Sequence, residues 1–326
     1  MPKEPPQASV TESPTKILIG NVPVEQLPER IGVADEIEQL KHFIAEWVAE
    51  ASDEVKQPVR WQLLSRPKYF RPLTIFACHR AVSARRLSKK LLRAVAALEI
   101  FHNVSLIVDD ILDRSRFRRG RLTLHCRFGE LPALMTSGFL TAGGFKLIEN
   151  DPYSVRLLAE LMQRLGVAEC LQWRLRRFPL GVEDWRAIAG EDTGSMFEIC
   201  ARLGTRDDQL RKFGMLVGLL YHGCDDVGDV RGAMALGGGG EEDIRDGILT
   251  LPAAFAIRDA DTASIFRSPG KKNYQILTKR MFQALPQAEQ YLDQIASEAR
   301  SEALRNADRP EGLLGLIEHT RALSRS

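Results

Sequence analysis

The sequence predicts an all-α protein, on three observations. Apolar residues recur at helical spacing, as in Ile37, Leu40, Ile44, Trp47/Val48 and Ala51, whereas alternating strand patterns are almost absent. Proline and glycine clusters punctuate the chain and leave helix-length segments between them. One acidic pattern occurs twice, as Asp109-Asp110-Ile111-Leu112-Asp113 and Asp225-Asp226-Val227-Gly228-Asp229, each time at the end of a long apolar segment.

Taken in order, residues 1–16 are rich in Pro, Ser, Thr and charge and read as a disordered tail. Residues 17–326 read as one helical domain, long enough to bury a sizeable core. Helices are expected across about 71–86, 88–113, 133–149, 153–168, 183–203, 207–230, 251–260, 273–284 and 286–306. Four consecutive glycines at 237–240 form a loop that is either a plain connector or a cover for a phosphate.

Composition excludes some functions. With 45 basic and 43 acidic residues, the formal charge of +2 gives no bulk field for nucleic acid, and no basic stripe with interleaved aromatics appears. Cys78, Cys126, Cys170, Cys200 and Cys224 are widely spaced without a CxxC, as buried thiols in a reducing compartment are. The N-terminus lacks the apolar core of a secretory signal, and apolar stretches such as 214–221 are too short to span a bilayer. A cytoplasmic protein with no transmembrane segment is expected.

The chemistry lies in the acidic repeats. In a helix each places its first and last carboxylates four residues apart on one face. Two such faces packed together form a carboxylate cage, unfavourable without cations and suited to Mg²⁺, which also binds substrate phosphates. Alone, such a cluster is usually a solvated surface; its surroundings argue otherwise. His102 precedes Asp109 by seven residues and shares its face, and Arg118-Arg119-Gly120 follows closely with planar forks for phosphate. Upstream, Lys68 and Arg71 lie three residues apart between prolines.

Lys68-x-x-Arg71-Pro72, Glu99-x-x-His102-x-x-Ser105-Leu106-Ile107-x-Asp109-Asp110-x-x-Asp113, Arg118-Arg119-Gly120 and Asp225-Asp226-x-x-Asp229 resemble, in order and spacing, the trans-isoprenyl diphosphate synthases. The match covers about residues 35–255, continues with Asp243 and Gly247-x-x-Thr250-Leu251-Pro252, and is closest in pattern to geranylgeranyl diphosphate synthases. The resemblance implies the isoprenoid-synthase helical bundle around a deep central cavity, and a homodimer. It further implies three Mg²⁺ held by Asp109, Asp113 and Asp225, helped by Asp110, Asp226 and Asp229. Catalysis would rest on Asp109, Asp113, Asp225 and Asp226. Lys68, Arg71, His102 and Arg119 would hold isopentenyl diphosphate, while Arg118, Thr193 and His222 would contact the allylic diphosphate.

Three lysines usual in that family are replaced: the Lys-Thr pair reads Asp192-Thr193, and two Gly-Lys pairs read Gly237-Gly238 and Gly247-Ile248. Each lost charged hydrogen bond should cost about 1–3 kcal/mol of binding to an anionic substrate. The usual Gly-Gln-x-x-Asp reads Leu171-Gln172-Trp173-Arg174-Leu175; nearby Arg174, Arg176 and Arg177 either compensate or form a solvated helix face. The leading expectation is an elongating prenyltransferase. The alternatives are a terpene cyclase on the same scaffold and a non-catalytic modulating subunit. Val104 and Ser105, small residues four to five positions before Asp109, leave room for a growing chain, and Phe101 one turn deeper would be its floor. A twenty-carbon product, geranylgeranyl diphosphate, follows.

Overall fold

The bundle is laid around α5 (Lys89–Leu112). Ser88 caps its start, its hydroxyl accepting from the Leu91 N–H, and Leu91, Ala94, Val95, Leu98, Ile100, Phe101 and Ile107 are buried around its circumference. A helix apolar on nearly every side must be surrounded by others. The structure, a computed structural model, describes residues 18–19, 22–23, 26–64, 68–232, 243, 245–268 and 270–325. The tail at 1–16 and the glycines at 237–240, with the Gly237-Gly238 substitution, lie outside the described residues.

A short hairpin, β1 (Leu18–Ile19) with β2 (Val22–Pro23), precedes α1 (Leu27–Ile31), α2 (Ala34–Ala49), α3 (Asp53–Leu63) and α4 (Phe70–Val82). After α5, a second hairpin joins β3 (Phe117–Arg118) to β4 (Arg121–Leu122) and leads into α6 (Leu124–Phe128), α7 (Glu130–Ile148) and α8 (Pro152–Leu175). Then come α9 (Val182–Ala189), a π turn (Gly190–Gly194), α10 (Ser195–Thr205), α11 (Arg211–Val230), α12 (Leu251–Ala256), α13 (Ala260–Arg267), α14 (Lys271–Asn306) and α15 (Glu311–Ala322). α5 packs along α7, α10 against α4 and α11, and α11 against α14. One apolar cluster runs through these contacts from Leu27 to Leu323.

The all-α expectation holds, with local corrections. The expected break between 273–284 and 286–306 is absent: α14 passes through Pro286 without ending. The hydrogen bond that proline forfeits is outweighed by a long apolar edge, Leu277, Met281, Leu285, Ala288, Leu292, Ile295, Ala299 and Ala303, all buried. The helix expected across 183–203 is divided by the π turn. α3, α6, α13 and α15 escaped the apolar spacing. Cys126 and Cys170 are exposed rather than buried, because they sit on solvent-facing sides of α6 and α8. Two helices, α5 and α7, are long and apolar enough to cross a membrane, against the expectation that no stretch is. They pack on each other, and 67% of the apolar window of α5 is buried against 33% for α7.

Candidate active site

Both acidic motifs lie where helices end. Asp113 is the residue that terminates α5, and Asp225 to Asp229 occupy the last turns of α11. Asp109 lines a cavity of about 220 Å³ with Arg71, His102, Ser105, Glu169, Asp192 and Thr193. Burial, then the neighbouring Glu169, raises the Asp109 pKa to about 7, although Arg118 opposes the shift. Burial and the adjacent Asp226 raise Asp225 to about 6. Asp192 is close enough to raise both Asp109 and Asp226, so its carboxylate couples the two motifs. Asp113 is exposed and Asp229 half-buried.

The second aspartate of each motif has a structural partner. Arg118 Nε donates to Asp110 Oδ1 at 2.7 Å, and burial still raises that carboxyl's pKa. Asp226 Oδ2 accepts from the indole N–H of Trp185 at 2.8 Å and from the Leu251 backbone N–H at 2.7 Å. It thereby ties α9 and the start of α12 to α11. Asp110 and Asp226 thus serve the fold as well as the site, a division that motif reading did not reveal.

The cations gather at the entry to α4. Lys68 and Tyr69 precede the helix, Tyr69 in the left-handed conformation at φ 50°, an arrangement costly for a side chain of that size and typical of functional sites. Arg71 Nη1 lies 2.9 Å from His102 Nε2. Burial, then Arg71, holds the His102 pKa well below its ordinary value, so a neutral imidazole accepts this bond. Burial and then Arg119 lower Lys68 to about 8. Arg119 and Gly120 form the two-residue turn of the β3–β4 hairpin, at φ 52° and 74°, as hairpin twist demands. Buried Glu99 lies near Arg71 and Arg119 and balances part of their charge. Lys68, Arg71, His102 and Arg119 therefore come together, and Lys68 and Arg71 also reach the field of Asp225.

The π turn carries Asp192 and Thr193 to α11, and single-turn π segments recur at functional sites. Gly218 permits the approach: a Cβ there would stand 2.7 Å from both the Gly194 Cα and the Thr193 carbonyl oxygen. The Thr193 hydroxyl donates to Asp192 Oδ2 at 3.0 Å and accepts from His222 Nδ1 at 2.8 Å. Burial alone would lower the His222 pKa, but Asp226 and then Asp192 outweigh it and raise it to about 9, making an imidazolium. The carboxylate at the position of the usual lysine is thus matched by a cation one helix away. Glu169 was missed by sequence reasoning; its only signal is helical spacing from Leu165, with which it lines the cavity. The cavity wall, then Asp192 and Asp113, raise its pKa.

One turn below the cavity, Phe101 is buried with its ring 4.8 Å from that of Phe145. Gly144 gives it room, since a Cβ there would lie 3.1 Å from the Phe101 Cζ. Ser105 lines the cavity and Val104 packs half-buried against the core.

The donor set fits Mg²⁺: hard carboxylate oxygens, with Asp109 and Asp225 buried beside other carboxylates that a cation would offset. Among the described residues no three such side chains converge on one point. That suits an ion bound through one or two carboxylates, waters and substrate phosphates rather than by an all-protein cage.

Comparison with known proteins follows the same lines. Residues 52–275 match the polyprenyl synthetase family. The chain is 30% identical over 227 residues to geranylgeranyl pyrophosphate synthase 4 of Arabidopsis thaliana, a match covering 62% of this chain but only 60% of that protein. It is 26% identical over 249 residues to the nonaprenyl diphosphate synthase of Mycobacterium tuberculosis, covering 70% of this chain and 74% of that one. Its fold superposes on heptaprenyl diphosphate synthase from Staphylococcus aureus with a TM-score of 0.81 at 20% identity, covering 90% and 98% of the two chains. It also superposes on a polyprenyl synthase from Caulobacter crescentus complexed with calcium and isoprenyl diphosphate, with a TM-score of 0.80 at 21% identity, covering 92% and 97%. On the profile match, the cavity and the paired acidic helix ends, the chain belongs to the polyprenyl synthetase family.

Proposed function

We propose that this protein is a trans-prenyltransferase that condenses isopentenyl diphosphate with an allylic diphosphate, and that its product is geranylgeranyl diphosphate. The observation that supports the reading is Asp109 of the first acidic helix end lining one cavity with Arg71, His102, Asp192 and Thr193, while the charges of Lys68, Arg71 and Arg119 act on one another and those of Lys68 and Arg71 reach Asp225 of the second. Bound Mg²⁺, three ions per site by the family resemblance, would neutralise the departing diphosphate. Asp109, Asp113 and Asp225 would hold it, with Asp110, Asp226 and Asp229 in support.

The chain's own groups do the rest. Lys68, Arg71 and Arg119 present charge to the diphosphate of isopentenyl diphosphate, and neutral His102 fixes the Arg71 fork. Thr193 and the His222 imidazolium face the allylic diphosphate, and Arg118, anchored by Asp110, adds its charge from the side of Asp109. As the allylic carbon–oxygen bond breaks, the double bond of isopentenyl diphosphate attacks that carbon, and a proton leaves to the released pyrophosphate. Apolar Leu106, Leu165 and Met196 in the cavity wall keep water from the electron-poor carbon, where low polarity also strengthens the fixed charges.

Relatives with geranylgeranyl and nonaprenyl names both match, so the twenty-carbon product rests on Phe101 as floor beneath Val104 and Ser105. Incubation of the purified protein with Mg²⁺, labelled isopentenyl diphosphate and a panel of allylic primers, followed by mass identification, tests the reading. Longer diphosphates, chiefly of twenty carbons, are expected. Hydrocarbons or alcohols would mark a cyclase instead, and silence until another synthase subunit is added would mark a modulating subunit.

A further inference from the structure

We propose that Arg176 grips the diphosphate of the allylic substrate, in the space left by the missing lysines; this deepens the prenyltransferase reading and rests on it. The need is plain on that side of the cavity. Glu169 and Asp192 join Asp109 in its wall, and Ile248 stands where a lysine is usual. An incoming diphosphate meets carboxylates there, with His222 beside Asp192 and Arg71 across the cavity, assigned to the other substrate.

α8 supplies an arginine by running further than its sequence pattern indicates, to Leu175 rather than 168. Leu165, Glu169, Gln172/Trp173 and Arg176 follow one another at spacings of three and four and so share a face. Leu165 and Glu169 line the cavity. Arg176 follows Glu169 by seven residues, about 10 Å further along the same face, where the chain leaves the helix in an extended conformation at ψ 133°.

There the side chain is held in place. Its guanidinium lies 4.1 Å above the Trp173 ring and 3.9 Å from Asp246 Oδ2. Its Nε is buried without a hydrogen-bond partner among the described residues. The next residue locks the bend: the Arg177 N–H donates to the Gly247 carbonyl at 2.8 Å, and Arg177 is left-handed at φ 67°. Gly247 is required for this docking, because a Cβ on it would stand 2.4 Å from Arg177 Cγ. The bend is therefore seated on the residue immediately before Ile248. Arg176 also lowers the pKa of Glu169, so its charge reaches the cavity wall. A planar guanidinium pre-positioned by stacking on Trp173 is suited to two phosphate oxygens.

A merely structural Arg176 would complement the α8 dipole and pair with Asp246, effects seen in melting temperature alone. The proposal predicts instead that Arg176→Gln raises the KM for the allylic diphosphate about tenfold or more, leaves that for isopentenyl diphosphate within about twofold, and is partly rescued by Arg176→Lys. Calorimetric titration of inorganic pyrophosphate with Mg²⁺ into the whole protein should show binding weakened about tenfold in Arg176→Gln and less in Arg176→Lys. Equal pyrophosphate affinity in wild type and Arg176→Gln overturns the assignment, as does a KM change shared by both substrates. If wild type elongates no primer but the calorimetric difference is present, the enzyme reading fails and the diphosphate site stands.

Discussion

Asp226 shows how one side chain divides its oxygens between folding and chemistry. Oδ2 is fully engaged by Trp185 and Leu251, and Oδ1 faces His222 Nε2 at 3.8 Å. Asp226→Ala should cost about 2–4 kcal/mol in urea unfolding, because two buried donors lose their acceptor. Asp225→Asn should leave stability within about 1 kcal/mol and lower kcat by about a hundredfold or more; an equal loss of stability in both variants would refute this division. Protons give a second check. Asp109 and Asp225, raised to about 7 and about 6 from the ordinary aspartate 3.8, bind more protons folded than unfolded. Their contribution to stability therefore falls as pH rises from about 4 to about 7. Ligation requires both to be ionised, so added Mg²⁺ should raise the Tm more at pH 7.5 than at pH 5.5, as scanning calorimetry would show. Most of these residues were legible in the sequence because motif spacing fixes them. Glu169 was not, since a lone acid on an amphipathic helix reads the same whether it faces solvent or a cavity.

At the scale of elements, the proposed floor of the cavity lies where α5 packs on α7. Phe101 is wedged between Gly144 and Phe145, so its ring cannot swing toward α7 without displacing that helix. Phe101→Ala should shift the product distribution beyond twenty carbons, read by mass spectrometry, while lowering stability by about 3–5 kcal/mol; an unchanged distribution would remove Phe101 as the floor. The ends of the two acidic helices were foreseen within a residue or two because glycine, charge and apolar spacing agree there. The uninterrupted α14 and the π turn were not. Proline is a local signal to stop, overruled at Pro286 by an apolar edge that only the packed neighbours reveal. The π turn depends on Gly218 offering a surface without a side chain on another helix.

For the molecule as a whole, the apolar surface of α7 is the feature with an untested consequence. Leu131, Leu134 and Met135 share one face and are 68%, 48% and 60% exposed, more than the interior of one chain accounts for. The proposed homodimer would cover them. Light scattering should give twice the chain mass of 36.5 kDa for wild type, and a mass nearer one chain for Met135→Glu; a monomeric wild type would exclude that use of the face.

The sequence by itself determined the helical class, the two carboxylate motifs and the cationic set around them, because these depend on spacing along one chain and each helix turns that spacing into a face. Tertiary structure alone decided what stands opposite those faces. It brought Glu169 against Asp109, paired Asp192 with a protonated His222, engaged Asp226 in holding α9 and α12, and seated Arg176 beside Gly247. Such relations join residues far apart in the chain through burial and field, and no local pattern encodes them.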